Sequence, residues 1–158
     1  MTDPPGGTFD IQASRTVRAD AEQIFRFLAD LENHWLIADR FVDVVDLTGP
    51  PGARTGGRVR VKGPLGVRRT AATRVVFACP VREMGGSAQT SGGTIAHVRW
   101  LLRPEDGRTH VTLGATIEQA GALDGLLLRA GGKAWMRARF DGALRSLDDR
   151  VAAGHAKA

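Results

Sequence analysis

Apolar and polar side chains alternate at the start of the chain. Phe9, Ile11, Ala13 and Val17 stand against Asp10, Gln12, Ser14 and Thr16, the period of a half-buried strand. At Asp20 the period changes. DAEQIFRFLADL carries Gln23 three residues after Asp20, a capping-box spacing, with Ile24, Phe25, Leu28 and Leu31 at helical intervals. LENHWLIADRF adds a second short helical piece, and Phe41 to Leu47 reads as a strand. After the breaker-rich TGPPGARTGG, Arg58, Arg60 and Lys62 alternate with Val59 and Val61, so the basic side of that strand faces water. GPLG closes a hairpin into VRRTAATRVVFA. Pairing Val61 with Val67 places Arg69 on the inner face with Val59, Ala71 and Val75, whereas a one-residue slip or a bulge turns it outward.

Cys79 and Pro80 mark a turn into VREMGGSAQTS, a strand weakened by Gly85 and Gly86. GTIAHVRWLLR and RTHVTLGATIEQ then flank PEDG as a hairpin. Setting Trp100 opposite Val111 also pairs Val98 with Leu113, Ala96 with Ala115 and Thr94 with Ile117, which gathers the apolar residues on one face. His97, Arg99, Leu101, His110, Thr112 and Thr116 take the other.

The last long stretch, Ala122 to Val151, holds two helical stripes. Phe140, Leu144, Leu147 and Val151 share one side with Met136 beside them, and Leu123, Leu127, Ala130 and Ala134 form a second stripe rotated by roughly 100°. Gly131 and Gly132 sit at the slip. Each weakens a helix by about 1 kcal/mol relative to Ala, so a kink is expected there. Either the kink leaves Arg129 and Lys133 in water, or these cations face something anionic. The inventory is one strand, two short helices, about six strands and one long helix: an antiparallel α+β domain.

At 158 residues the chain makes one domain with a sizeable core. A loose leader is expected at 1–7, the domain at 8–151 and a flexible tail at 152–158. Cys79 is the single cysteine and the four histidines are scattered, so neither a disulfide framework nor a metal site with recognisable ligand spacing is expected. The beginning lacks a basic, apolar signal segment, and no run reaches the about 20 apolar residues of a membrane span. The expected location is cytoplasmic. The net charge of +5 is carried largely by arginine, whose guanidinium fork suits phosphates and carboxylates. The glycine pairs do not form a phosphate-cradling fingerprint, and no cofactor is expected.

The element order, with the start ASRTVRADAEQIFRFLADLENHW, the RVVFACPVREM strand-turn-strand, the GRTHVTLGATIE strand and a long amphipathic C-terminal helix, resembles the START-like or SRPBCC superfamily. Within it the chain looks like the polyketide cyclase/dehydrase and lipid-transport group, over about residues 8 to 151. The resemblance implies a helix-grip fold. In that fold a curved antiparallel sheet of about six to seven strands wraps around the long helix and leaves a cavity for a small hydrophobic ligand. Small inner residues such as Ala71, Ala96 and Ala115 fit such a void.

The expected wall is Val59, Arg69, Ala71, Val98, Trp100, Val111, Leu113 and Ile117 from the sheet, with Leu127, Ala130, Met136 and Phe140 from the helix. The Gly131–Gly132 kink would lie where a lid flexes. No catalytic residue carries over from the resemblance. Arg69 is the polar candidate, able to hold a carboxylate or enolate; the alternative is a solvent-facing strand arginine. Trp100 is either a stacking platform or core. His97 and His110 fall on the outer face. His34 and Trp35 either reach the cavity mouth or staple a helix end, the latter being favoured. Cys79 reads as an inert small hydrophobe.

Three functions follow in order. The first is an intracellular carrier or sensor of a lipid, quinone or polyketide-like molecule. The second is a polyketide cyclase/dehydratase working in the same cavity. The third is an interaction protein whose outward set, Arg58, Arg60, Lys62, Arg68, Arg74, Arg99 and Arg103, meets an anionic membrane surface or an acidic partner such as a carrier protein; the alternative is a solvated face that protects the sheet edge. Without outward aromatics between those cations, nucleic acid is not expected as a partner.

Overall fold

The alternating start forms β1 (Ile11–Val17), and α1 (Ala21–Leu28) follows with the Asp20 carboxylate accepting the Gln23 backbone N–H at 2.8 Å. Asp30 caps α2 (Leu31–Ile37) in the same way, accepting from the Glu32 N–H at 3.1 Å. These bonds answer donors that a helix start leaves without partners. The computed structural model describes residues 8–38, 42–50, 54–63 and 66–156, without side-chain detail at Phe77 and beyond Ala152. The expected leader, Phe41, part of the breaker-rich turn and of the GPLG loop, and the last two residues lie outside the described residues.

The remaining strands are β2 (Val42–Thr48), β3 (Gly56–Lys62), β4 (Arg68–Cys79), β5 (Glu83–Thr90), β6 (Ile95–Glu105) and β7 (Arg108–Gln119). They build one seven-stranded sheet in the order β1-β7-β6-β5-β4-β3-β2, with every neighbouring pair antiparallel. The fold is the expected α+β architecture of a curved sheet, a long C-terminal helix and two short helices after the first strand. Bulges in β2 near Val45 and in β4 near Val76 leave both valines exposed, and such insertions bend the strands that carry them.

Two hairpin registers differ from expectation. Val61 faces Arg69, not Val67, and Trp100 faces Leu113, not Val111. The second shift has a clear cause. Asp106 and Gly107 both take positive φ, 47° and 80°, and form a two-residue turn between the paired Glu105 and Arg108, so Pro104 and Glu105 belong to the strand. Because each shift is by two residues, the inner faces are unchanged.

The C-terminal stretch is α3 (Ala122–Leu127), a π turn (Leu128–Gly132) and α4 (Lys133–Ala156). Gly131 takes φ 107° and breaks the helical path, a conformation open to glycine without a Cβ penalty. The kink leaves Arg129 and Lys133 exposed. It also corrects the second apolar stripe: Leu123, Ala130 and Ala134 face water, and Leu127 alone of the four turns inward. α4 continues past Val151 to Ala156.

Phe140, Ala143, Leu144, Leu147 and Val151 of α4 are buried in one core with Ile11 and Val17 of β1, Ile24 and Leu28 of α1, and Val111 and Leu113 of β7. Asp148 is buried on the same helix at 3 % exposure. It accepts the Arg18 backbone N–H at 2.9 Å, the Arg18 Nε–H at 3.2 Å and the Arg15 Nε–H at 3.4 Å, fastening α4 to the end of β1. A second small core joins Ala38, Val42, Val59 and Ala71 with Trp35 and Val61.

Candidate ligand cavity

Because α4 lies chiefly along β1, it covers the concave face of the central strands only in part, through Met136 and Phe140 against Met84 and Trp100. Between that face, α2 and the first half of α4 is a cavity of about 330 Å³, walled almost wholly by apolar side chains. Val59, Ala71, Val98, Trp100, Leu113 and Ile117 line it from the sheet, and Leu127, Met136 and Phe140 from the helical side. The void follows from small residues at inner positions of the sheet: Ala71, Gly86, Ala88, Ala96 and Ala115 all border it.

Two expected wall residues lie elsewhere. Val111 has 0 % exposure inside the core, carried past the cavity by the two-residue shift of its hairpin. Ala130 is exposed on the outside of the kink.

Arg69 lies on the inner face and borders the cavity while staying partly exposed, and its Nε lies 3.3 Å from Asp124 Oδ1 of α3. The other carboxylate oxygen accepts the Thr94 hydroxyl at 2.5 Å and the Thr90 hydroxyl at 3.5 Å. Thr94 Oγ1 in turn accepts the Gly121 N–H at 3.1 Å. This polar knot is part of the cavity wall and ties α3 to β4 and to the β5–β6 turn. Asp124 escaped the sequence reading, although it is the one acid between Ala120 and Phe140. A lone carboxylate in the apolar LDGLLL run was the available signal.

His34 and Trp35 both line the cavity. His34 also staples the end of α1, its Nε2–H donating to the Leu28 carbonyl at 2.7 Å, so the two alternatives for this residue are both realised. Since a carbonyl only accepts, the bond fixes the proton on Nε2 and leaves Nδ1 as an acceptor. The His34 ring meets Trp100 edge-on at 5.6 Å between centroids. Burial pushes the His34 pKa below the ordinary imidazole value, against the opposing pull of the Leu28 carbonyl and Asp30.

A base held neutral by burial takes up its proton more readily in the unfolded chain. It therefore lowers stability as pH falls below about 6.5. We expect a histidine-to-phenylalanine change at position 34 to flatten the loss of urea stability between neutral pH and mild acid. An unchanged slope would show that His34 does not titrate against folding.

Of the outer cations, four are paired, while Arg60, Arg68 and Arg74 have no ion pair among the described residues. Arg58 pairs with Asp46 at 2.6 Å, Lys62 with Asp43 at 3.2 Å, Arg99 with Glu83 at 2.6 Å and Arg103 with Glu105 at 3.0 Å. His97 pairs with Glu118 on the outer face, and Cys79 is exposed. No helix among the described residues is long and apolar enough to cross a membrane.

A family model described as polyketide cyclase / dehydrase and lipid transport matches residues 8–152. Among solved structures, a protein from Rhodobacter sphaeroides is similar at 26 % identity and a TM-score of 0.61, covering 95 % of this chain and 96 % of the other. A protein from Thermus thermophilus is similar at 22 % identity and a TM-score of 0.62, covering 91 % and 97 %. One from Geobacillus kaustophilus reaches a TM-score of 0.66 at 13 % identity, covering 89 % and 93 %. Comparison with curated proteins gave no match.

Proposed function

Starting from the fact that the chain belongs to the polyketide cyclase / dehydrase and lipid transport family, we propose that it binds a small, neutral, mainly apolar molecule in the cavity, as a carrier or sensor. The observation that carries this reading is an apolar void of about 330 Å³ with one polar end, the general form of a small-molecule site. Arg69 and Asp124 already balance each other at 3.3 Å. A charged ligand would therefore enter without a free counter-charge, at a high desolvation cost. Both threonine hydroxyls already donate to Asp124, so a neutral hydroxyl or keto oxygen is the group that suits the remaining guanidinium N–H donors at that end.

The test is titration with the neutral fluorescent probe N-phenyl-1-naphthylamine, followed by displacement with decanol or decanoate. Saturable uptake with decanol the better competitor is expected. Asp124→Asn leaves Arg69 without its counter-charge and should shift the preference toward decanoate. Absence of saturable uptake would contradict the reading, and an unchanged preference in the variant would contradict the role given to the pair.

A second reading, a polyketide cyclase/dehydratase-like reaction in the same cavity, is supported by His34. Its neutral ring, with Nδ1 free to accept a proton, is the form that a general base takes.

A further inference from the structure

On the outer side of α3 and the π turn, exposed leucines stand beside cations unpaired among the described residues. None of the α3 residues is buried, and Leu123 and Leu126 are 47 % and 62 % exposed. Ala122 and Ala130 extend the same apolar face, and Arg129 and Lys133 stand exposed at its border. Among the described residues neither cation has an ion pair or side-chain hydrogen bond, in contrast to Arg58, Lys62, Arg99 and Arg103 on the sheet. The segment from Ala120 to Phe140 has four bases and a single acid, and that acid, Asp124, is turned inward to Arg69 and Thr94. The outward face is left apolar and purely cationic. Leu127 and Leu128 on the inner side line the cavity, so this helix is the whole thickness of the wall at that point.

We propose that this face docks the protein reversibly on an anionic lipid surface, with Leu123 and Leu126 entering the acyl boundary and Arg129 and Lys133 at the level of the phosphates. The chemistry matches that of interfacial helices, in which exposed leucines insert and flanking cations meet anionic headgroups. A protein partner is a poorer fit. Two leucines and two cations on about two helical turns fall well short of the roughly 800 Å² per partner that a stable protein interface buries. The inference rests on the outer face alone and stands whatever the cavity holds.

The test is co-sedimentation of the full chain with phosphatidylcholine vesicles, with and without phosphatidylglycerol, at low and high salt. Binding is expected only where phosphatidylglycerol is present, and it should weaken as salt rises. Arg129→Glu with Lys133→Glu should reduce it by about tenfold or more, and Leu123→Asp with Leu126→Asp should reduce it similarly. Arg58→Glu with Arg60→Glu, on the sheet, should leave it unchanged. All of these side chains are exposed; should the leucine variant fail to fold, the charge variant decides alone. No binding to phosphatidylglycerol vesicles would overturn the proposal, as would equal losses from the sheet variant. It would also be overturned if the leucines mediate self-association in sedimentation velocity instead of vesicle binding.

Discussion

Replacing Asp148 by alanine is expected to lower stability by about 2–3 kcal/mol at neutral pH, measured by urea unfolding. The change leaves the Arg18 backbone N–H without its acceptor and removes the counter-charge of two guanidiniums. Arg15 and Arg18 are 38 % and 58 % exposed and can return to water, so the loss should fall short of the roughly 3–5 kcal/mol seen when a fully buried pair is broken. Burial alone would raise the Asp148 pKa. The Arg18 N–H, the Arg18 guanidinium and Arg15 outweigh it and hold the carboxyl below its ordinary value.

A carboxyl whose pKa is depressed on folding stabilises the protein above its unfolded pKa of about 4, and that contribution is lost as pH falls through the lower folded value. The stability gap between parent and Asp148→Ala should therefore be full at pH 7 and shrink on strong acidification. A gap that is small, or the same at both ends, would show that Asp148 does not anchor α4 to β1.

Ala96→Trp is expected to abolish saturable uptake of N-phenyl-1-naphthylamine while leaving the fold intact. Ala96 lies on the inner face of β6, between Ala88 and Ile117 in register, and borders the cavity. An indole there grows into empty space and takes the room a ligand needs. Overpacking a filled core costs about 1–3 kcal/mol, but a void receives the added ring, so the urea midpoint should move little. A variant that still binds the probe as the parent does would place the binding site elsewhere. A variant that unfolds would show that this space is filled core.

Periodicity carried most of the fold. Alternation along β1, β3 and β6 fixes which residues face inward, and this holds even where pairing was displaced, because a shift by two residues preserves the face. What alternation does not fix is how far along its partner a strand sits. For the last hairpin that was decided by the Asp106–Gly107 turn, and the displacement removed Val111 from the cavity wall.

Arg69 was read as inward or outward according to register, and the sequence offered no means of choosing. Its partner Asp124 is 55 positions away on α3, a tertiary meeting that no local pattern encodes. The stripe at Leu123, Ala130 and Ala134 misled because the kink at Ala130 and Gly131 breaks it: Leu123 lies on α3, pinned by Asp124, and Ala134 lies beyond the kink on α4. His34 was legible as a helix staple, and its second role in the cavity wall depends on how α2 packs across the sheet.

The central claim is that the void between sheet and helix is a binding site for a small neutral apolar molecule. Native mass spectrometry of the protein purified from its own host, with solvent extraction of whatever travels with it, tests this most directly. The predicted result is a near-stoichiometric adduct that extracts as an uncharged, oxygen-bearing hydrophobic compound and is missing from Ala96→Trp prepared in the same way. A parent protein that emerges bare, or one whose adduct persists in Ala96→Trp, would contradict it.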